Sequence, residues 1–265
     1  MTTGNSVFQR KQGIGWRRGL DTLLRAELGR WFGTKKWCIQ ILIWTVAING
    51  ILALVVIGEE PGDASGLAVF LNIFLGVFAP FGVLILMQGA IVGEKQSGTA
   101  AWILSRPISR SAFLLAKLVA NTAGIAITIL LAQGLIAYGL IFASSGRFLP
   151  PLGFLAGLGV QLVHLLFYIT LSLALGAAFN RRGPVIAIPL AFVFVQELLI
   201  GILPALANVL PLTLAVPLDS GGYPSIATAL MTGSQPMTYL PLATTLAASA
   251  LAIAIALWIV ERLEL

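Results

Sequence analysis

The sequence predicts an all-α polytopic membrane protein: a six-helix transmembrane bundle with an N-terminal interfacial helix and an apolar re-entrant segment before the last helix. Three observations carry this expectation. Of 265 residues, 58% are apolar and only 10% charged, and the mean hydropathy is +0.97, well outside the balance of a soluble domain. Six stretches are long enough to cross about 30 Å of hydrocarbon, which takes roughly 20 helical residues. Those stretches are continuously apolar, whereas membrane-barrel strands are about 10 residues long and alternate lipid-facing with lumen-facing side chains.

Residues 1–36 form a basic tail. Within it Trp16, Leu20, Leu23, Leu24, Leu28 and Trp31 fall on one helical arc with Arg18 and Arg25 opposite, the pattern of a helix lying in the headgroup layer. Glu27 sits inside the apolar arc, so it either meets a base on another helix or marks a fray. A plain basic anchor obeying the positive-inside rule accounts for the tail equally well. The basic flank is too long, and the apolar run after it too extended, for a signal peptide. Cys38, the only cysteine, excludes an internal disulfide and reads as a buried thiol at the span boundary.

The transmembrane domain occupies 37–265, with spans at Trp37 to Ile57, Leu67 to Val92, Phe113 to Phe142, Leu152 to Phe179, Pro184 to Leu203 and Tyr239 to Val260. Charge placement sets their direction, because Lys and Arg near span ends stay on the cytoplasmic side. The tail carries Arg10, Lys11, Arg17, Arg18, Arg25, Arg30, Lys35 and Lys36; the second loop has Lys95, Arg106 and Arg110; the fourth has Arg181 and Arg182. The other loops hold Glu59, Glu60, Asp63 and Asp219 with Arg147 as their only base. Both termini are therefore expected in the cytoplasm, in a multi-pass plasma (inner) membrane protein. The net charge of +6 is a topology signal. Nucleic-acid binding would want a basic folded face with aromatic platforms, which is absent.

Catalytic patterns are largely missing. With His164 the sole histidine, paired-histidine zinc sites are excluded, and no metal or cofactor is expected on this chain. A triad would have to bring His164 together with Glu197 and Ser172. Gly93 and Gly98 have phosphate-loop spacing, but Thr99 and Ala100 follow where the lysine should stand. The chain is not expected to be an enzyme. Glu197, beside Gln196, is the acid placed within an apolar span, which makes it and His164 the possible polar residues of a pathway. Pro80 and Pro189 kink their spans. From 204 to 238 five prolines interrupt an apolar run through Leu206, Leu210, Leu214 and Leu218, so this external segment should dip back into the membrane, where irregular backbone is tolerated only against protein or a wet cavity.

The first cytoplasmic loop, 93–112, concentrates the polar residues. Glu94, Lys95 and Gln96 open a helical turn, Ser97-Gly98-Thr99 bends the chain, and a second short helix through Trp102 to Leu104 ends at Ser105-Arg106-Pro107, since proline disfavours helix in the residue before it. Ser109 or Ser111 is positioned to cap the third span. The loop reads as a compact knob suited to receiving a partner.

Glu94-Lys95-Gln96-Ser97-Gly98-Thr99, Leu104-Ser105-Arg106-Pro107-Ile108-Ser109-Arg110 and Lys117 resemble the first cytoplasmic loop of the membrane (permease) subunits of type-2 ABC transporters. The likeness is specific over about 25 residues and looser over the whole chain; Gln96 stands where the family commonly has a second acid. The resemblance implies a permease working as a pair, with a related or identical second copy. Each copy would contact a separate cytoplasmic ATP-binding subunit that holds ATP and Mg. It assigns Glu94 and Lys95 to the contact surface, Gly98 and Thr99 to the bend, and Arg106, Pro107 and Arg110 to loop packing or lipid headgroups. The helix around Glu27 and Trp31 is similar to the family's interfacial elbow. Substrate would pass between two copies, usually outward. An ion- or proton-coupled secondary transporter and a membrane scaffold or assembly factor without transport are the competing readings; the first would want acids near the midplane in related halves.

Overall fold

A computed structural model describes residues 15–58, 63–105, 108–217 and 224–262. The described residues form helices and turns without strands. A 3-10 turn, Gly15–Arg17, leads into α1 (Leu20–Phe32). The first span is α2 (Lys36–Gly58) and the second α3 (Ala64–Met87). The intervening loop contributes α4 (Val92–Gln96) and α5 (Thr99–Leu104). There follow α6 (Arg110–Ser145), α7 (Pro151–Ala178) and α8 (Arg182–Ile202) as the third to fifth spans. After a 3-10 turn at Pro204–Asn208 come the short α9 (Leu212–Ala215) and α10 (Ile226–Thr232), then the sixth span, α11 (Leu240–Arg262). Six helices are thus long and apolar enough to cross a membrane, and the protein is a multi-pass membrane bundle. The end carrying the basic loops is called the basic end below.

The fourth span is the axis of the bundle. Of the most apolar stretch of α7, 67% is buried, against 22% for α2. Small residues let neighbours approach it closely. A Cβ on Gly153 would stand 2.4 Å from the Leu230 carbonyl oxygen, and one on Gly157 2.4 Å from Met231 Cγ, so these glycines form the bed on which α10 lies. The expected re-entrant segment accordingly packs into the bundle: Leu212, Leu214, Ala215, Ile226, Ala227 and Met231 are all buried.

Polar residues inside the bundle repair irregular backbone. The first and third spans each contain a π-helical stretch, Thr45–Asn49 and Ala126–Leu131. Such turns displace the regular ladder, and here Gln133 spans both. Its Nε2 donates to the carbonyls of Ile41 and Thr128 at 3.2 and 3.0 Å, while its Oε1 accepts from Thr45 Oγ1 and Asn49 Nδ2 at 3.1 and 2.8 Å.

One expectation of burial needs correction. Cys38 lies at the span boundary but is exposed, because it falls on the outward side of the least buried span. Glu197 is also exposed, whereas its neighbour Gln196 is fully buried; one residue along a helix turns the side chain by about 100°, and it is Gln196 that faces the bundle.

Candidate functional site

The most polar part of the structure is a junction beneath α1, where the tail helix crosses the third span and the first loop. Trp31 anchors it. A Cβ on Gly124 would lie 2.3 Å from the Trp31 ring, so glycine provides the seat, and Trp31 Nε1 donates to Asn121 Oδ1 at 3.0 Å. Asn121 Nδ2 in turn donates to the Lys117 carbonyl one helical turn back, at 2.7 Å. This docking brings the misplaced acid of the apolar arc, Glu27, against Lys117.

Lys117 is buried at 2% exposure, a position a lysine holds only when paired. Its Nζ lies 3.0 Å from Glu27 Oε1 and 2.8 Å from Glu94 Oε1, with the Phe113 ring centroid 5.0 Å away. Arg30 closes the figure, its guanidinium 3.0 Å from Glu27 Oε1 and 2.6 Å from Glu94 Oε1. The hydrogen bond to Glu94 raises the Arg30 guanidinium above its ordinary pKa, against the cost of burial and with help from the Glu27 charge. Two acids and two bases balance, each shared oxygen taking both cations. Glu94 Oε2 is sealed from solvent without a partner among the described residues. Beside the cluster is a cavity of about 390 Å³ whose lining includes Glu27, Arg30, Glu94, Ser97, Thr99 and Lys117.

The same loop grips a second element. Lys95 Nζ donates to the Ala177 and Phe179 carbonyls at 2.5 and 3.4 Å, capping the end of α7 where unpaired carbonyls favour a cation. Gln96 Nε2 donates to the Asn180 carbonyl at 3.0 Å. Glu94 is thus turned inward and Lys95 is half-buried, so neither stands on an open contact surface as the resemblance implied. Their charges are consumed by helix ends and buried partners. The exposed tip is instead Gln96, Ser97 and Gly98, together with Trp102 at 59% exposure. Gly98 has φ +72°, a left-handed bend that favours glycine, and Ser97 Oγ and Thr99 Oγ1 lie 2.8 Å apart across it. Ser109 caps α6, its hydroxyl accepting from the Ala112 N–H at 3.1 Å. At the same end of the bundle Arg110 caps the C-terminus of α11 by donating to the Glu261 carbonyl.

Other sequence-derived candidates stand apart from this junction. Arg106 and Pro107 lie outside the described residues. Trp16 belongs to the 3-10 turn before α1, and Leu20, half-buried, starts that helix. His164 is buried deep in α7 against two backbone carbonyls, with Glu197 turned outward and Ser172 Oγ without a partner among the described residues, so the three do not form a triad. Among the described residues no group of three or more His, Cys, Asp or Glu could hold a metal. Asn121 and Trp102 were missed. A signal for Asn121 exists, since it stands one turn after a lone lysine within an apolar span.

Fold and junction together define a polytopic helical membrane protein whose first loop is wired into its own bundle. Residues 38–262 match the model of a family described as "Protein of unknown function (DUF2705)", and the chain belongs to that family. A search among curated proteins gives no match.

Proposed function

We propose that this chain is the permease subunit of an ATP-driven transporter, an exporter, worked by a separate cytoplasmic ATP-binding subunit that docks on the first loop. The basic end is the cytoplasmic one in this reading, because positive residues near span ends are retained there. The observation that carries the proposal is the two-way anchoring of the loop: Glu94 joins it to α1 and α6, and Lys95 joins it to the end of α7. A displacement of the exposed tip at Ser97, Gly98 and Trp102 therefore reaches the tail helix and two spans at once. Trp is the residue type most enriched at energetically dominant contact points, which suits Trp102 to the docking face. ATP and Mg would sit on the partner; this chain supplies motion and a path.

A second copy would pair through the outward face of α8. Ile188, Phe194, Leu198 and Ile202 are exposed there with Glu197, and the ring of Phe81 lies 5.8 Å from that of Phe194, extending the apolar face onto α3. A carboxylate facing hydrocarbon is costly, and a path between two copies gives it a wet neighbour. The test is purification from native membranes. The expected co-purifying protein is an ATP-binding subunit, depleted by Trp102→Ala and by Gly98→Trp while Lys117, Glu27 and Glu94 stay in place. Equal recovery with both variants would defeat docking at this loop.

A further inference from the structure

His164 is the only histidine in the chain, and its ring is fully buried. Thirteen residues into α7, it lies about 20 Å from the start of a helix about 42 Å long. Its Nε2 is 3.0 Å from the Gly76 carbonyl oxygen and its Nδ1 2.9 Å from the Pro211 carbonyl oxygen. The first acceptor is available because of Pro80: in an α-helix the carbonyl of residue 76 is taken by the N–H of residue 80, and proline has none. The second belongs to the turn that leads the re-entrant segment into α9, where it also accepts from the Leu214 N–H at 3.1 Å.

Both neighbours are acceptors only. A neutral imidazole has one N–H and one lone pair, so it can satisfy one carbonyl and must turn a lone pair toward the other. An imidazolium donates to both. We propose that His164 is a proton-operated latch between the Pro80 kink of the second span and the re-entrant segment. Neutral, the ring donates from Nε2 to Gly76, whose oxygen has lost its own helical donor, and Pro211 is not held. Taking up one proton at Nδ1 adds a donor to Pro211 and ties the segment to the kinked helix; loss of that proton releases it.

The other ties of the segment do not titrate near neutrality. Gln196 Oε1 accepts from the Leu212 N–H at 3.1 Å while its Nε2 donates to Tyr168 Oη at 2.8 Å, and Thr244 Oγ1 donates to the Val209 carbonyl at 2.9 Å. Tyr168 is the titratable side chain in contact with the ring, edge-on at 5.2 Å between centroids. The packed elements α3, α9 and α10 contain no titratable residue. On α8, Glu197 faces outward and Arg182 is at the basic end, as are Arg110 and Lys117 of α6 and Glu261 and Arg262 of α11; Tyr138 of α6 donates to the Leu149 carbonyl at the opposite end. Among the described residues no fixed charge stands beside the ring, so the proton it takes up is itself the charge that sets the latch.

A single histidine makes the test direct. Protein labelled with ¹⁵N-histidine and reconstituted in lipid nanodiscs is titrated between about pH 8 and pH 5, the range in which histidine ordinarily changes charge. The latch predicts one protonated and one bare ring nitrogen at the alkaline end and two protonated nitrogens at the acid end. Over the same range, amide exchange of Leu212, Leu214 and Val216, corrected for its intrinsic pH dependence, should slow roughly tenfold, in keeping with one hydrogen bond from a charged donor. In His164→Gln that exchange should not vary with pH. A bare nitrogen across the whole range overturns the proposal, as does a pH response that survives in His164→Gln. If the variant fails to fold, the titration of the natural chain decides. Neither readout needs an ATP-binding partner, so the latch and the permease reading can fail separately.

Discussion

Lys117 shows how a buried charge fixes a tertiary contact. Its ammonium is enclosed by Glu27 and Glu94, whereas Arg30, meeting the same two oxygens, has a side chain 55% exposed. Removing one partner from a buried ion pair leaves an uncompensated charge, so Lys117→Ala should lower stability by about 3–5 kcal/mol. Arg30→Ala, screened by solvent, should cost at most about 1 kcal/mol. Denaturant unfolding of both variants in the same detergent checks the order; equal losses would mean that Lys117 is not the centre of the cluster. At this scale the sequence was half legible. Glu27 announced itself as a misfit in an apolar arc, but Lys117 lies 90 residues away, and nothing local pairs them. Glu94 and Lys95 read as surface charges because charge alone does not say which way a side chain turns at a helix end.

At the scale of elements, α1 is held by a shape match as well as by charge. The Trp31 ring occupies the space that any side chain at position 124 would need, so Gly124→Ala should displace the helix and cost about 1–3 kcal/mol through overpacking. A red-shifted tryptophan emission together with the lost stability would report it; unchanged values would show that α1 docks elsewhere. Gln133→Leu should cost about 1–3 kcal/mol, since it strands buried polar groups at both π turns. The six spans and the amphipathic tail were readable because hydrophobic length and helical period are local properties. The π turns were not, because every residue in them also suits an α-helix. The exposure of Cys38 escaped for a related reason: a span apolar on all sides carries no mark of which side faces the bundle.

The whole molecule is a multi-pass bundle with a loop that reaches three of its helices. The outward face of α8 supplies a check on pairing. With Cys38, the sole thiol, replaced by serine, Phe194→Cys should form a disulfide-linked dimer on mild oxidation in membranes, while Leu152→Cys, exposed on another span, should not. Equal cross-linking at both positions would leave α8 without a special role. Whether the exposed tip of the first loop receives an ATP-binding subunit is decided by a photo-cross-linking amino acid placed at Ser97. In native membranes a covalent adduct with an ATP-binding polypeptide is expected from Ser97 and none from Phe148, which is exposed at the other end of the bundle. Adducts with no ATP-binding polypeptide from Ser97, or the same adduct from both positions, would contradict docking at the tip.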